Sequence, residues 1–325
     1  MSERSVLGVD VGGTKIALCL MSENGKRSEV LRFPSLLRSG RDALAENILD
    51  CIGKALESSS AENAPVCVGV GLKDFVDNKN GVWVKSPSTP GFAPLPLAEM
   101  ITERFGIPAV LDNDVHVAAL AEQYYGRGRD FRDFVYMNVG TGIAIGVIND
   151  GRLMRGCVNY AGEIGHMSVD TDGELCPFCG QRGCLEEIAG GGAIISYARR
   201  EMHNWPYSSL HGLEASGKLH SAAVFQEADL GDKFAGLIAK RTVHALAVAC
   251  SAVVNIFNPE ALIFGGGVMA DGWLIEKIKD ELPRTTIKTS YDSLREVCLS
   301  PLGSDYVGVL GAAGLGWEHI GKQGK

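Results

Sequence analysis

The 325-residue chain is short of positive charge: 31 Lys and Arg stand against 39 Asp and Glu, a net charge of −8. Nucleic-acid binding draws much of its affinity from Lys and Arg neutralising phosphates, so this balance disfavours such a partner and favours a small molecule. No secretory leader is expected, since MSERSVLGVD holds no apolar h-region of the roughly 7 to 15 residues such a signal needs. No window approaches the ~20 apolar residues of a membrane span, so a cytoplasmic protein with no membrane partner is expected. Six of the nine cysteines, Cys19, Cys51, Cys67, Cys157, Cys250 and Cys298, lack framework spacing and sit among apolar residues, the usage of a reducing compartment. With 46% hydrophobic residues, the chain is long enough for two cores.

A helix is absent where a nucleotide-binding loop would need one. Walker and Rossmann loops both run from glycines into a helix. Here D-V-G-G-T-K (10–15) is flanked by two strand patterns, 5–10 and 15–21, with Asn24-Gly25 turning into a third over 27–33. What remains is a β-hairpin whose exposed N–H groups around Gly12, Gly13 and Thr14 can hold phosphate, with Asp10 aimed at a Mg²⁺ ion. An ordinary hairpin turn would not need Asp10, Thr14 and Lys15 together. The same strand, Gly/Thr turn, strand pattern recurs at 134–149, around Gly140-Thr141-Gly142. Two such units facing each other would grip a nucleotide's phosphates from both sides.

Between and after the hairpins the periodicity predicts a helix over 41–58, strands at 66–72 and 82–84, and a helix over 97–105. Prolines at 87, 90, 94 and 96 rule out regular structure between the last two, which suits a binding loop or a plain connection. A short strand at 109–112 leads into Asp112-Asn113-Asp114, a polar cap for a helix to about 125. Residues 202–219 read as an irregular surface excursion. A long helix over 232–257 buries a stripe of Phe234, Leu237, Ile238, Ala245, Val248, Ala252, Val253 and Ile256. The strand 261–264 then runs into Gly265-Gly266-Gly267, where missing side chains let a flat ring or ribose approach. A final helix is expected near 307–317.

The densest chemistry lies at 161–190. Cys176, Cys179 and Cys184 stand as C-P-F-C-G-x-x-G-C, Gly180 lets the backbone turn back, and His166 supplies a fourth ligand. Cys₃His suits a closed, tetrahedral, structural Zn²⁺; the alternatives are a cluster of reduced core thiols or a redox dithiol. Glu163 and Glu186 bracket the metal ligands, and an ion pinning both segments would bring the two acids into one polar pocket suited to sugar hydroxyls. Either alone could instead be a solvated surface charge.

G-E-I-G-H, then cysteines, then G-C-L-E resembles the signature of the ROK family of sugar kinases and sugar-responsive repressors, and the other motifs fall in that family's order along nearly the whole chain. The hook departs from the family's C-x-C-G-x-x-G-C by one residue. The resemblance implies an α/β, actin-like ATPase (RNase H-like) fold of two domains around a cleft, one over 1–113 with a C-terminal helix at about 303–325, the other over 114–302. It implies ATP phosphates between Gly12–Lys15 and Thr141-Gly142, and adenosine against Gly265–Gly267. By the match to the family's E-N-D-A-N segment, Asp114 is the general base and Asn113 holds the sugar, with Glu163, His166 and Glu186; Val115 and His116 depart from that pattern. His166 would serve zinc through one nitrogen and sugar through the other. The activity implied is ATP- and Mg²⁺-dependent phosphorylation of a hexose or derivative on a primary hydroxyl, in a homodimer.

A sugar-sensing regulator and a catalytically silent sugar-binding protein are the alternatives. The first is disfavoured because the hairpin at residue 10 leaves no room for a preceding DNA-binding domain, the second because Asp10, Lys15 and Asp114 are retained. Lys73-Asp74 and Ser88 also break the family pattern, at G-x-P-G-P-V-D and N-L-P-G-W. They suggest a substrate carrying an amino, acetamido or re-oriented hydroxyl group, unless Lys73 and Asp74 simply point to solvent and pair with each other. The first turn of a helix should keep Asp114 ionised at neutral pH.

Overall fold

The computed structural model describes residues 4–57, 64–86, 89 and 91–323, and the chain divides into two compact units. The first comprises Met1–Asp130, Arg152–Ala161 and Pro301–Lys325; the second comprises Phe131–Gly151 and Gly162–Ser300.

The first unit begins with β1 (Ser5–Val11), β2 (Lys15–Ser22), β3 (Leu31–Pro34), α1 (Arg41–Glu57), β4 (Pro65–Leu72), β5 (Phe75–Asp77) and β6 (Val82–Lys85). It continues with α2 (Leu97–Phe105), β7 (Ala109–Asn113) and α3 (Asp114–Tyr125). Its main sheet has the order β3–β2–β1–β4–β7; β1 runs antiparallel to β2 and parallel to β4. β1 is a nearly unbroken apolar run because both of its faces are covered. Leu7, Val9 and Val11 meet Leu44, Ile48 and Ile52 of α1 on one side. On the other side Val6 meets the C-terminal helix. β3 is shorter than the predicted 27–33: next to the Met21–Arg27 bridge the Ser28 N–H still donates to the Leu20 carbonyl at 2.9 Å, but the Leu20 N–H goes to the Ser28 hydroxyl at 3.1 Å, and the regular ladder is confined to Leu31–Pro34.

The second unit opens with β8 (Phe134–Val139) and β9 (Ile143–Asn149). Two residues that follow, Arg152–Leu153 (β10), fall with the first unit. Next come α4 (Glu186–Ala189), α5 (Gly191–Glu201), α6 (Leu210–Ala215), α7 (Ser221–Asp229), α8 (Lys233–Phe257), β11 (Ala261–Gly265), α9 (Trp273–Thr285), α10 (Lys288–Ser293) and β12 (Glu296–Leu299). In its sheet β9, β8, β11 and β12 are successive neighbours; β8 is antiparallel to β9 and parallel to β11. That repeats the hairpin-plus-parallel-strand arrangement of β2, β1 and β4.

Several expectations for this unit change. The 202–219 stretch is not irregular: it carries a 3₁₀ turn at Met202–Asn204 and α6, because Met202, Leu210 and Leu219 anchor it in the core. Asp232 is the N-cap of α8, accepting from Phe234 N and Ala235 N at 2.9 Å. The buried face of α8 is rotated from the predicted stripe: Leu237 and Ile256 are 43% and 71% exposed, while Ala235, Leu246, Ala249, Cys250 and Val254 are buried. By length and composition alone α8 is apolar enough to cross a bilayer, contrary to the sequence reading; its apolar residues form the core of this unit. The elements α5, α7, α9, α10 and β12 were not read from the sequence; β12 is only four residues long and α10 buries no residue, so neither leaves a strong pattern.

The chain returns to the first unit as α11 (Val307–Gln323), packed on β1, β4 and α3. Gly8 and Gly69 lie under its backbone; a Cβ on Gly8 would come within 2.8 Å of the Ala313 nitrogen. Because α3 packs along α11, Asp114–Asp130 stays in the first unit, whereas the sequence reading ended that domain at 113.

Candidate functional site

At the tip of β1 and β2, Gly13 and Thr14 are exposed and Asp10 is partly buried. The Gly12 N–H is committed to the Lys15 carbonyl at 2.9 Å, so the turn closes on itself, contrary to the expectation that Gly12 offers its N–H. Lys15 Nζ lies 2.5 Å from Asp305 Oδ1, and Gly308, in the first turn of α11, sits against the Asp10 carboxyl, where a Cβ would come within 2.5 Å of Oδ2. Burial pushes the Asp10 pKa up to about 6 despite nearby Lys15.

The β7–α3 junction presents Asn113 and Asp114. Asn113, not the Asp112–Asp114 run as a whole, is the helix cap: its Oδ1 accepts from Val115 N at 2.9 Å and its Nδ2 donates to the Asp74 carbonyl at 3.0 Å. Asp114 is not kept ionised by the helix terminus as expected. Burial raises its pKa to about 7, Asp10 and Asp74 add to the rise, and the Val115 N–H and Lys73 oppose it less strongly. A carboxylate with two others close by pays for its charge. Asp74 takes a left-handed backbone (φ 73°) and accepts from Ser86 Oγ at 3.0 Å, while Lys73 is exposed. Ser88 lies outside the described residues; of its neighbours, Thr89 is buried and Phe92 packs on Trp83 with ring centroids 5.0 Å apart.

In the second unit the β8–β9 turn is tighter, with Gly140 N donating to Gly142 O at 2.9 Å. Thr141 is exposed at its tip. Glu186, at the start of α4, accepts from Ile143 N with Oε2 at 2.8 Å, so one of its carboxylate oxygens is taken up by the hairpin. A Cβ on Gly142 would come within 2.7 Å of that oxygen, which explains the glycine. Glu163 is exposed.

The ligand atoms of His166, Cys176, Cys179 and Cys184 lie within 4.8 Å of one another. Cys176 Sγ is 3.7 Å from His166 Nδ1, and Cys179 Sγ is 3.4 Å from Cys184 Sγ. The latter is far beyond a disulfide bond of about 2.05 Å. Zn–S and Zn–N bonds of about 2.3 and 2.0 Å place tetrahedral ligands roughly 3.5 to 3.8 Å apart, so these separations fit a zinc ion. Burial and the neighbouring thiols push Cys184 up to about 12. Three thiols this close cannot all ionise without a cation. Phe178 stacks on the His166 ring, centroids 4.9 Å apart.

The glycine triplet is explained largely by the protein's own packing. Gly265 lies under the Tyr136 ring, and Gly266 (φ 93°) lies against the Val139 backbone; a Cβ on Gly267 alone would meet nothing within 4 Å. Only Gly267 has the open space expected of all three.

Sequence reasoning missed a fully buried group. Asp112 accepts from His116 Nδ1 (2.9 Å), Arg155 Nε (2.7 Å), Asn159 Nδ2 (3.0 Å) and Asn113 N (2.8 Å). Arg155 also reaches Glu318 through Nη1 and Nη2 at 3.1 and 2.6 Å. Burial opposes the Asp112 charge, but the His116 hydrogen bond and the Arg155 charge outweigh it and hold the pKa at about 2. The available signal was the departure at His116, which names no partner 39 or more residues away.

Compared with known proteins, residues 6–318 match the ROK family. The chain is 36% identical to the glucokinase of Thermotoga maritima over 99% of its own length and 100% of that protein's. Its fold superposes on the ROK hexokinase of Thermus thermophilus with a TM-score of 0.80 at 26% identity, covering 98% and 99% of the two chains. The ROK glucokinase of Streptomyces griseus, solved with glucose and AMPPNP, gives a TM-score of 0.76 at 28% identity, covering 97% and 99%.

Proposed function

This chain belongs to the ROK family, has its actin-like α/β fold and is an ATP-dependent sugar kinase, and we propose that Asp114 is its general base. The observation that carries the reading is the Asp114 carboxyl at the start of α3, with a pKa raised to about 7. A base titrating near the working pH combines a useful ionised fraction with real proton affinity. In the proposed step the primary hydroxyl of a hexose loses its proton to Asp114 as its oxygen attacks the γ-phosphorus of ATP. The new P–O bond forms as the bond to the departing ADP breaks.

The remaining roles divide between the units. On the first, the exposed tip at Gly13 and Thr14 takes phosphate with Lys15, Asp10 holds Mg²⁺, and Asn113 positions the sugar as well as capping α3. On the second, Thr141-Gly142 takes phosphate, Gly267 lies along adenosine, Glu163 and Glu186 accept from sugar hydroxyls, and His166 donates to a sugar oxygen. Mg²⁺, when bound, offsets charge on the transferring phosphoryl group. His166, Cys176, Cys179 and Cys184 would hold a structural Zn²⁺, supported by their mutual distances; with His166 Nδ1 turned to Cys176, Nε2 is the nitrogen left for the sugar.

Glucose is the first sugar this reading puts forward, because the Thermotoga maritima and Streptomyces griseus relatives are glucokinases. A second reading rests on Asp74, whose partly buried carboxylate beside Asp114 suits a hexose with an added N–H donor. A coupled ADP-release assay over glucose, mannose, fructose, allose, glucosamine, N-acetylglucosamine and N-acetylmannosamine decides. The highest kcat/KM on glucose supports the first reading; the highest on an amino or acetamido sugar, lost in Asp74→Gly, supports the second; no ADP release with any sugar overturns both.

A further inference from the structure

The buried contacts around His116 determine its protonation. Nδ1 is 2.9 Å from Asp112 Oδ1 and Nε2 is 3.0 Å from the Ala161 carbonyl oxygen. A carbonyl oxygen only accepts. Asp112, with four donors on its two oxygens and 0% exposure, also acts only as an acceptor. A neutral imidazole carries one N–H and would leave one of these contacts as two facing lone pairs; the imidazolium satisfies both.

We propose that His116 is held as a doubly protonated imidazolium, one end of a buried alternating chain of charges, His116, Asp112, Arg155 and Glu318, that fixes the start of α3. Its members come from α3, β7, the 152–161 segment and α11, all within the first unit. Asn159 completes it: its Nδ2 donates to both Asp112 and the Val76 carbonyl at 3.0 Å, and its backbone adopts a left-handed conformation (φ 67°). The charged or titratable groups around the ring are Asp112 and Arg155, with Glu318 beyond Arg155 and Tyr124 beside both of the latter. Burial opposes the second proton, and the Asp112 and Ala161 contacts outweigh it, so the His116 pKa is raised.

Asp112 and His116 each stand two residues from Asp114, one on the strand side and one on the helix side. Gripping both sides fixes where the Asp114 carboxylate points, which makes His116, Asp112 and Arg155 positioning residues. A base displaced by about 1 Å loses up to ~10² in rate. The effect on turnover rests on Asp114 being the base, whereas the protonation state does not.

The test is ring-nitrogen NMR on the full chain labelled with ¹⁵N-histidine, at pH 8, well above the ordinary histidine pKa of about 6.5. One of the seven histidines should show both ring nitrogens protonated, and that signal should vanish in His116→Gln and in Asp112→Asn. Only neutral histidines in the wild type, or an imidazolium that persists in either variant, overturns the proposal. In kinetics, Asp112→Asn and His116→Gln should lower kcat by ~10- to 10²-fold with the KM for ATP within about twofold. An unchanged kcat, or equal losses in kcat and nucleotide affinity, overturns the positioning role. Should the variants not fold, the wild-type spectrum alone decides the protonation state. If Asp114→Asn keeps its turnover, the base assignment fails while the spectrum stands.

Discussion

The two hairpin tips share a topology and differ in how they are charged. In the first unit Asp10 and Lys15 are built into the hairpin itself, and the C-terminal segment packs onto both: Asp305 on Lys15, Gly308 on Asp10. In the second unit the hairpin carries no charge of its own from Val139 to Ile143, and a carboxylate is brought to it by Glu186 from α4. The contrast extends outward. The first unit gathers Asp10, Asp74 and Asp114, whose charges work against one another. The second gathers three thiols and an imidazole nitrogen within 4.8 Å of one another. On the proposed reading, the same scaffold serves proton chemistry in one unit and ion-held shape in the other.

The largest effect should come from removing the proton acceptor. Asp114→Asn is expected to cut turnover by ~10² to 10⁴; turnover within a few-fold of wild type would sink the assignment. Because the folded pKa of Asp114 is raised above its unfolded value near 3.9, ionising it weakens the fold as pH rises toward and past about 7. The same variant should therefore melt at a higher temperature than wild type at pH 8, and lose that advantage at pH 4. In the wild type, kcat/KM should fall as pH drops below about 7, where Asp114 takes up its proton.

A smaller effect is expected in the second unit. Cys184→Ser should lower metal content and weaken sugar binding together by ~10- to 10²-fold, sparing nucleotide affinity. Metal analysis finding no zinc in freshly purified wild type would count against the ion-held reading. The smallest concerns Asp305, whose pair with Lys15 is exposed and therefore weak. If phosphate must displace it, Asp305→Asn should lower the KM for ATP by up to about fivefold; a raised KM would instead make Asp305 part of the nucleotide site.

What the sequence determined by itself was whatever is local. The hairpins followed from glycine punctuation between apolar runs, and the gathering of the three thiols with His166 from their spacing around Gly180, since nearby residues constrain one another through the backbone. Asn113 and Asp114 were singled out through motif order. Tertiary structure decided the rest, where the controlling distance runs through space. The Asp114 pKa depends on Asp10 and Asp74, 104 and 40 residues away (114 − 10 and 114 − 74). Asp112 read as a capping residue until Arg155 and Asn159 closed around it, with Glu318 on the far side of Arg155. The glycines at 265 and 266 read as room for a ligand and are room for Tyr136 and Val139. A pattern of residue types records which groups are present, whereas burial and opposing charge, which set their protonation and their freedom, exist only once distant segments are packed together.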